Sequence, residues 1–284
     1  MKLARPDVFH PRIVLAGCPQ HVAGDDDDAG LVAALRQRGL PARWLSWDDP
    51  EVARADLVIL RAVRDYAERI DEFLAWTTGV ANLLNPPAVV AWNVDRRYLA
   101  DLADRGVPTV SGAVFAPGEP VRLPHSRSVF VSPAVGTGTR RFSDRSAAAA
   151  HVAELHEAGR RVLVQSAGAD RQTVLIFLGG VPSHAFTTRD HNALRQGEPD
   201  FEIWDIGAAA LAAAADPGEL LYARVHLIDN RVLELQLVDP VLGWRRLDAG
   251  TRDLAQRGFA LCVESALERL GLGPLSQPDS HRRP

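Results

Sequence analysis

Tyr222, Arg224 and His226 alternate along one apolar segment, and Glu234 and Gln236 alternate along the next. Alternate residues of a strand share a face, so the first three side chains point one way. Leu221, Ala223, Val225 and Leu227 then point the other way, toward a core. The two polar sets coincide only if the connection has an odd number of residues. A three-residue loop, Asp229-Asn230-Arg231, pairs His226 with Glu234 and Arg224 with Gln236, whereas a two-residue loop opposes His226 to Leu233. The hydrophobic match selects the longer loop. An imidazole beside a carboxylate is a base with its orienting partner, so His226, Glu234 and Arg224 are the catalytic candidates. The competing reading is a solvated hairpin face carrying an Arg224–Glu234 surface ion pair.

Two further constellations carry chemistry. Gly136-Thr137-Gly138-Thr139, with Arg140 and Arg141 beside it, can present backbone N–H groups to an anion or form a simple flexible turn. Asp25 to Asp28 form an acidic run before a helix, where carboxylates contribute about 0.3–1 kcal/mol against the helix dipole. Neither a Gly-x-Ser-x-Gly elbow nor a His-Glu-x-x-His helix occurs, which leaves serine-nucleophile and zinc-protease chemistry without support.

The elements that must hold these groups begin as alternating strands and helices. Strands are expected at 12–16, 42–45, 56–61 and 89–92, with helices at 29–38 and 70–77. The continuous apolar run 57–60 is that of a strand covered on both faces, so this part is a parallel sheet with covering helices. A helix follows over 95–105, then a proline-rich stretch at 117–124. Strands at 129–131 and 162–165 with a helix at 147–157 form a small α+β unit. A pair at 173–178 and 181–185, an alanine-rich helix at 208–215, the polar hairpin and a helix at 254–270 complete the chain.

Composition narrows the partners. The 284 residues are 46% hydrophobic and carry a net charge of -4, which gives no electrostatic reason to expect nucleic acid. No stretch approaches the ~20 apolar residues of a membrane span, so no membrane partner is expected. Cys18 and Cys262 are the only cysteines, which excludes a disulfide framework and fits a reducing compartment; the expected location is the cytoplasm. Leu15-Ala16-Gly17-Cys18 superficially matches a lipoprotein cleavage site, but the apolar run before it is too short for a signal peptide. Lys2 is the only lysine, and basic charge is otherwise carried by arginine.

The order of several motifs resembles the ATP-grasp ligases of the glutathione-synthetase-like group, most closely the D-cycloserine-ligase type. The landmarks are Trp47-Asp48-Asp49-Pro50, Arg61 with Asp65-Tyr66, Asn85-Pro86, Trp92-Asn93, Ser132-Pro133-Ala134 with Gly136 and Gly138, Val164-Gln165, Ser183-His184-Ala185 and the hairpin, spread over about residues 12–272. The resemblance implies an α/β ATP-grasp fold. Its parts are an N-terminal α/β subdomain over 1–110, an α+β lid over 111–168, a C-terminal antiparallel-sheet subdomain over 169–273 and a disordered tail over 274–284. It also implies a nucleotide between lid and C-terminal sheet, two magnesium ions on the hairpin, and an acyl phosphate attacked by an amine.

The same resemblance shows where this sequence departs. Two lysines expected to grip the triphosphate are Arg96 and Ser132, and an acidic residue expected after Gln165 is replaced by Gln172. The metal positions read His226, Glu234 and Gln236, and magnesium disfavours imidazole nitrogen. Arg96, Ser132, Gly136, Gly138, Gln165 and Gln172 line the nucleotide-like cleft. Asp26, Arg61, Asp65, Tyr66, His184 and Tyr222 fall at substrate positions, His184 alternatively being a satisfied core histidine. The expectation is an ATP-grasp-fold protein of small-molecule biosynthesis with an amino-acid-like pocket. It works without a cofactor, by catalysis through His226 and Glu234 or by binding alone. The alternatives are an ATP- and magnesium-dependent carboxylate–amine ligase and a noncatalytic partner protein. Related folds often dimerise, so a homodimer stays open.

Overall fold

The computed structural model describes residues 10–168, 171–188 and 193–273. The expected tail at 274–284 lies outside them. The N-terminal part is a parallel sheet in the order β2-β1-β3-β4, formed by β1 (Ile13–Gly17), β2 (Ala42–Ser46), β3 (Leu57–Ala62) and β4 (Leu83–Leu84). Helices α1 (Leu31–Gln37) and α2 (Ile70–Gly79) connect them. Every residue of β1 and β3 is buried, as their unbroken apolar runs require.

Residues expected as a strand at 89–92 are instead the helix α3 (Pro87–Asn93). Pro87 stands at the start, where its fixed φ suits a helix and its missing N–H costs nothing. Asn93 then turns its amide onto Leu235 O and Leu237 N, pinning the helix end to the C-terminal sheet. Helix α4 (Tyr98–Asp104) begins later than expected, because Asp95 bridges Val135 and Arg96 N donates to Ala134 O.

The lid is an antiparallel sheet ordered β5-β8-β6-β7, with β5 (Gly112–Phe115), β6 (Ser128–Pro133), β7 (Arg140–Phe142) and β8 (Val162–Ala167). Helix α5 (Arg145–Glu157) packs on it through Ala148, Val152 and Leu155, and Asp144 caps its first N–H groups.

The C-terminal sheet runs β11-β10-β9-β12-β13, from β9 (Gln172–Leu178), β10 (Val181–Thr187), β11 (Arg195–Gln196), β12 (Tyr222–Ile228) and β13 (Arg231–Gln236). Helix α6 (Phe201–Ala214) covers one face, where Leu175, Phe177, Ala223 and Val225 meet Ala210 and Leu211. Helix α7 (Ala249–Arg269) covers part of the other, joining Val174 and Ile176 to Phe259, Val263 and the N-terminal Leu15 and Ile59 in one core. Among the described residues no helix is long and apolar enough to cross a membrane.

The hairpin pairs His226 with Glu234 and Arg224 with Gln236 as expected, but through a different device. Its loop has two residues, Asp229 and Asn230, both at positive φ (48° and 60°), and Ile228 faces Arg231. The register then slips between His226 and Leu227, so that Leu233 is an unpaired bulge residue. The odd residue that parity demands sits in the strand, not in the turn. Because β12 lies between β9 and β13 and Glu234 is 5% exposed, the solvated-face reading does not hold.

Candidate functional site

Glu234 is held by two donors from outside its own sheet. Arg96 Nη2 donates to its Oε1 at 2.6 Å, and Thr139 Oγ1 donates to its Oε2 at 3.1 Å. Arg96 also donates through Nε to Pro133 O and through Nη2 to Gly136 O, so one guanidinium ties the lid to the C-terminal sheet. Burial alone would raise the Glu234 carboxyl, but the Arg96 charge, the Gln236 hydrogen bond, Arg224 and His226 together hold it at about 2. Arg224 Nη1 donates to Gln236 Oε1 at 2.9 Å.

His226 has a different partner from the one expected. Its Nε2 lies 3.1 Å from Gln172 Oε1, which accepts, so Nε2 carries the proton. Burial, and then the neighbouring Arg224 charge, push the imidazole down to about 3. Among the described residues no carboxylate hydrogen-bonds this ring. The expected base–carboxylate pair is thus two cross-strand neighbours with separate partners.

Between lid and sheet the space is narrowed to small clefts. Phe130 of β6 packs with Val110, Ile228 and Leu233, and Gln165 Nε2 donates to Val110 O and Leu233 O. Ser132 is buried beside them. In the glycine loop, Gly136 N is already bonded to Val94 O, and a Cβ there would lie 2.6 Å from Ala67 Cβ. Gly136 and Gly138 both hold positive φ, so the loop is a packed turn at Gly136.

The acidic run faces inward across the molecule. Helix α1 has no acid in its first turn, so the expected dipole role is replaced by cross-links. Asp25 pairs with Arg64 and Asp26 with Arg245 at 2.8 Å. Asp27 accepts from the backbone of Gly243 and Arg245, and Asp28 accepts from Arg61 Nε and Nη2 at 2.9 and 2.7 Å. Arg61 lies over the rings of Tyr222 and Trp244, and Tyr222 OH donates to Leu60 O. Asp65 accepts from Trp47 Nε1, and Tyr66 is buried beside Arg96, Glu234 and Asp239. His184 has Nε2 on Leu242 O and Nδ1 beside Ser183 Oγ, which is the core-histidine arrangement.

A cavity of about 700 Å³ opens against this run, its charged lining being Asp25, Asp26 and Asp27 with Arg64, Arg245 and Arg246. The Arg246 guanidinium has no ion-pair partner among the described residues. Sequence reasoning missed Arg245 and Arg246; the arginine doublet after a Gly-Trp turn was the available signal. Asp239 sits deeper, its Oδ2 3.9 Å from Arg64 Nε and its side chain 7% exposed. Burial pushes this carboxyl up to about 7, against the pull of Arg61 and Arg64.

Residues 13–85 match the family described as the N-terminal domain of D-cycloserine synthetase DcsG. Over 278 residues the chain is 32% identical to the cycloserine biosynthesis protein DcsG of Streptomyces lavendulae, covering 82% of this chain and 92% of that protein. The chain belongs to the ATP-grasp superfamily, in its D-cycloserine-ligase-like group. The crystal structure of D-cycloserine synthetase DcsG aligns with a TM-score of 0.70 at 30% identity, over 91% of this chain and 99% of that one. The D-alanine–D-alanine ligase of Bacillus anthracis complexed with ATP shares the fold at TM-score 0.67 and 13% identity, over 92% of this chain and 98% of that one.

In this ATP-grasp chain the donor set does not fit a pair of magnesium ions. One carboxylate, one amide and one neutral imidazole stand at the hairpin positions, and the carboxylate already has a guanidinium against it. Among the described residues no cluster of three or more His, Cys, Asp or Glu side chains could hold a metal.

Proposed function

We propose that this ATP-grasp chain binds a small amino-acid-like molecule of biosynthesis in the cavity between the acidic run and the Arg245-Arg246 turn, without ATP or magnesium. The observation that carries the reading is the Arg96–Glu234 pair, which puts a fixed cation against the single hairpin carboxylate. The apolar contact of Phe130 with Leu233 and Ile228 supports it, because it narrows the interlayer space in which the fold family accommodates a nucleotide. An ammonium group can compete with Arg245 for the exposed Asp26, and Arg246 can meet a carboxylate, the charge pattern of a zwitterion. His226 contributes shape and a hydrogen-bonding edge; a ring so reluctant to take a proton is a poor base near neutral pH.

The similarity to a cycloserine biosynthesis protein favours a second reading, ATP-dependent joining of a carboxylate and an amine. Calorimetric titration with MgATP separates the two. The proposal requires no saturable heat at millimolar nucleotide, together with stabilisation by zwitterionic amino acids in wild type that Arg246→Gln loses. Micromolar MgATP binding that Glu234→Gln abolishes establishes the ligase reading instead.

A further inference from the structure

Helix α7 carries an apolar line on its outer side. Its inner side packs through Phe259, Val263 and Leu267, whereas Leu254 and Leu261 are 68% and 46% exposed. Two turns separate these leucines, so they share a face, and Gly258 and Ser265 fall on the same line. Val181, 61% exposed, widens the patch. It is the register partner of Leu178, and a Cβ on Gly258 would lie 3.9 Å from Leu178 Cδ1, which sets the β9–β10 turn beside the helix. Single exposed leucines are ordinary, but a continuous apolar patch rimmed by charge marks a contact surface.

The order along the line is Leu254, Gly258, Leu261, Ser265, which is large, small, large, small. Reversed end for end it becomes small, large, small, large. A second copy laid antiparallel therefore sets Leu254 on Ser265 and Leu261 on Gly258, each twice by symmetry. In that register Arg257 comes within about 3 Å, along the axis, of the level of Glu264 in the second copy. Within one chain Arg257 holds Asp253, and Arg38 donates only to Oε2 of Glu264, so Oε1 is open to a further donor. The string Asp253, Arg257, Glu264, Arg38 then alternates in sign across the contact. The like-charge approach of Asp253 to Glu268 is offset by the Arg257 that Asp253 already holds, and Arg269 stands on the opposite flank with Cys262. A parallel pairing instead opposes Arg257 to Arg257 and Glu264 to Glu264. We propose that a second copy of this chain docks here, in a symmetric antiparallel contact of α7 against α7 with Val181 at its edge. The inference does not depend on what the cavity beside the acidic run binds.

The test is sedimentation equilibrium on the full chain at micromolar concentration, where the wild type has twice the mass of one chain. Leu254→Glu and Leu261→Glu change exposed positions, and each yields monomer while circular dichroism confirms the fold. If one variant fails to fold, the other decides. Arg257→Glu sets like charges against each other at both symmetric positions, as does Glu264→Arg, and each weakens the dimer at least about tenfold. Mixing these two charge variants restores opposite charges at both positions and recovers that factor as a heterodimer. A wild-type chain that is monomeric in this range overturns the proposal. So does a dimer that persists undiminished in a folded leucine variant, or a mixture of the charge variants that associates no better than either alone.

Discussion

Arg96 and Glu234 lie 138 residues apart in sequence and 2.6 Å apart in space, with 3% and 6% of their side chains exposed. The bond joins the segment before α4 to the middle of β13, and the same guanidinium holds two lid carbonyls. Removing one partner leaves an uncompensated buried charge, which costs about 3–5 kcal/mol. Arg96→Met is therefore strongly destabilising in urea unfolding. The double variant Arg96→Met/Glu234→Leu recovers much of that loss, because neither charge remains. A double variant as unstable as the sum of the singles contradicts a coupled pair.

The same carboxylate sets an acid limit. Its folded value of about 2 lies below the ordinary 4.5, so the pair's contribution is complete above pH 4.5 and is lost as pH falls toward 2. Glu234→Gln flattens that part of the profile of melting temperature against pH.

Asp239 acts in the opposite direction. Its carboxyl is pushed up to about 7 from 3.8, so the folded protein holds a proton that the unfolded chain has released. Stability on this account falls as pH rises through that window, by at most about 1.4 kcal/mol per pH unit. Asp239→Asn keeps the shape without the charge, and it raises the melting temperature at pH 8 more than at pH 5.

The four aspartates of the acidic run differ in weight despite their adjacency. Asp28 meets Arg61 with both side chains buried, at 4% and 2% exposure, so Asp28→Asn costs several kcal/mol, on the order of 3–5. Asp26 and Arg245 are exposed, and Asp26→Asn changes stability by less than about 1 kcal/mol. Chemical denaturation of the two variants side by side checks the contrast.

The turn offers a local test. Asn230 at φ 60° stands where a β-branched residue is strained, so Asn230→Val costs about 1–2 kcal/mol while Asn230→Gly is neutral or stabilising. Thermal unfolding measures both.

Much of the scaffold was legible because its signals are local. The buried run 57–60, the alternation in 221–227 and the polar pairing of His226 with Glu234 all come from neighbouring residues. Val89-Val90 misled, since β-branched residues suggest a strand, whereas Pro87 and the reach of Asn93 to Leu235 and Leu237 select a helix. The ion-pair partners were illegible for a different reason. Which carboxylate meets Arg96, or which arginine meets Asp28, depends on how distant segments are brought together, and local spacing carries no record of it. The cavity with Arg246 was missed on the same ground.

Leu233 gives the hairpin a hidden dependence on its bulge. If the slip were ironed out so that Leu233 lay opposite His226, Glu234 and Gln236 would turn to the other face, putting an acid and an amide under α6 and presenting leucines to Arg96. The orientation of the whole polar face thus rests on the slip at one apolar residue, and any transplant of this ribbon into another sheet must preserve that bulge.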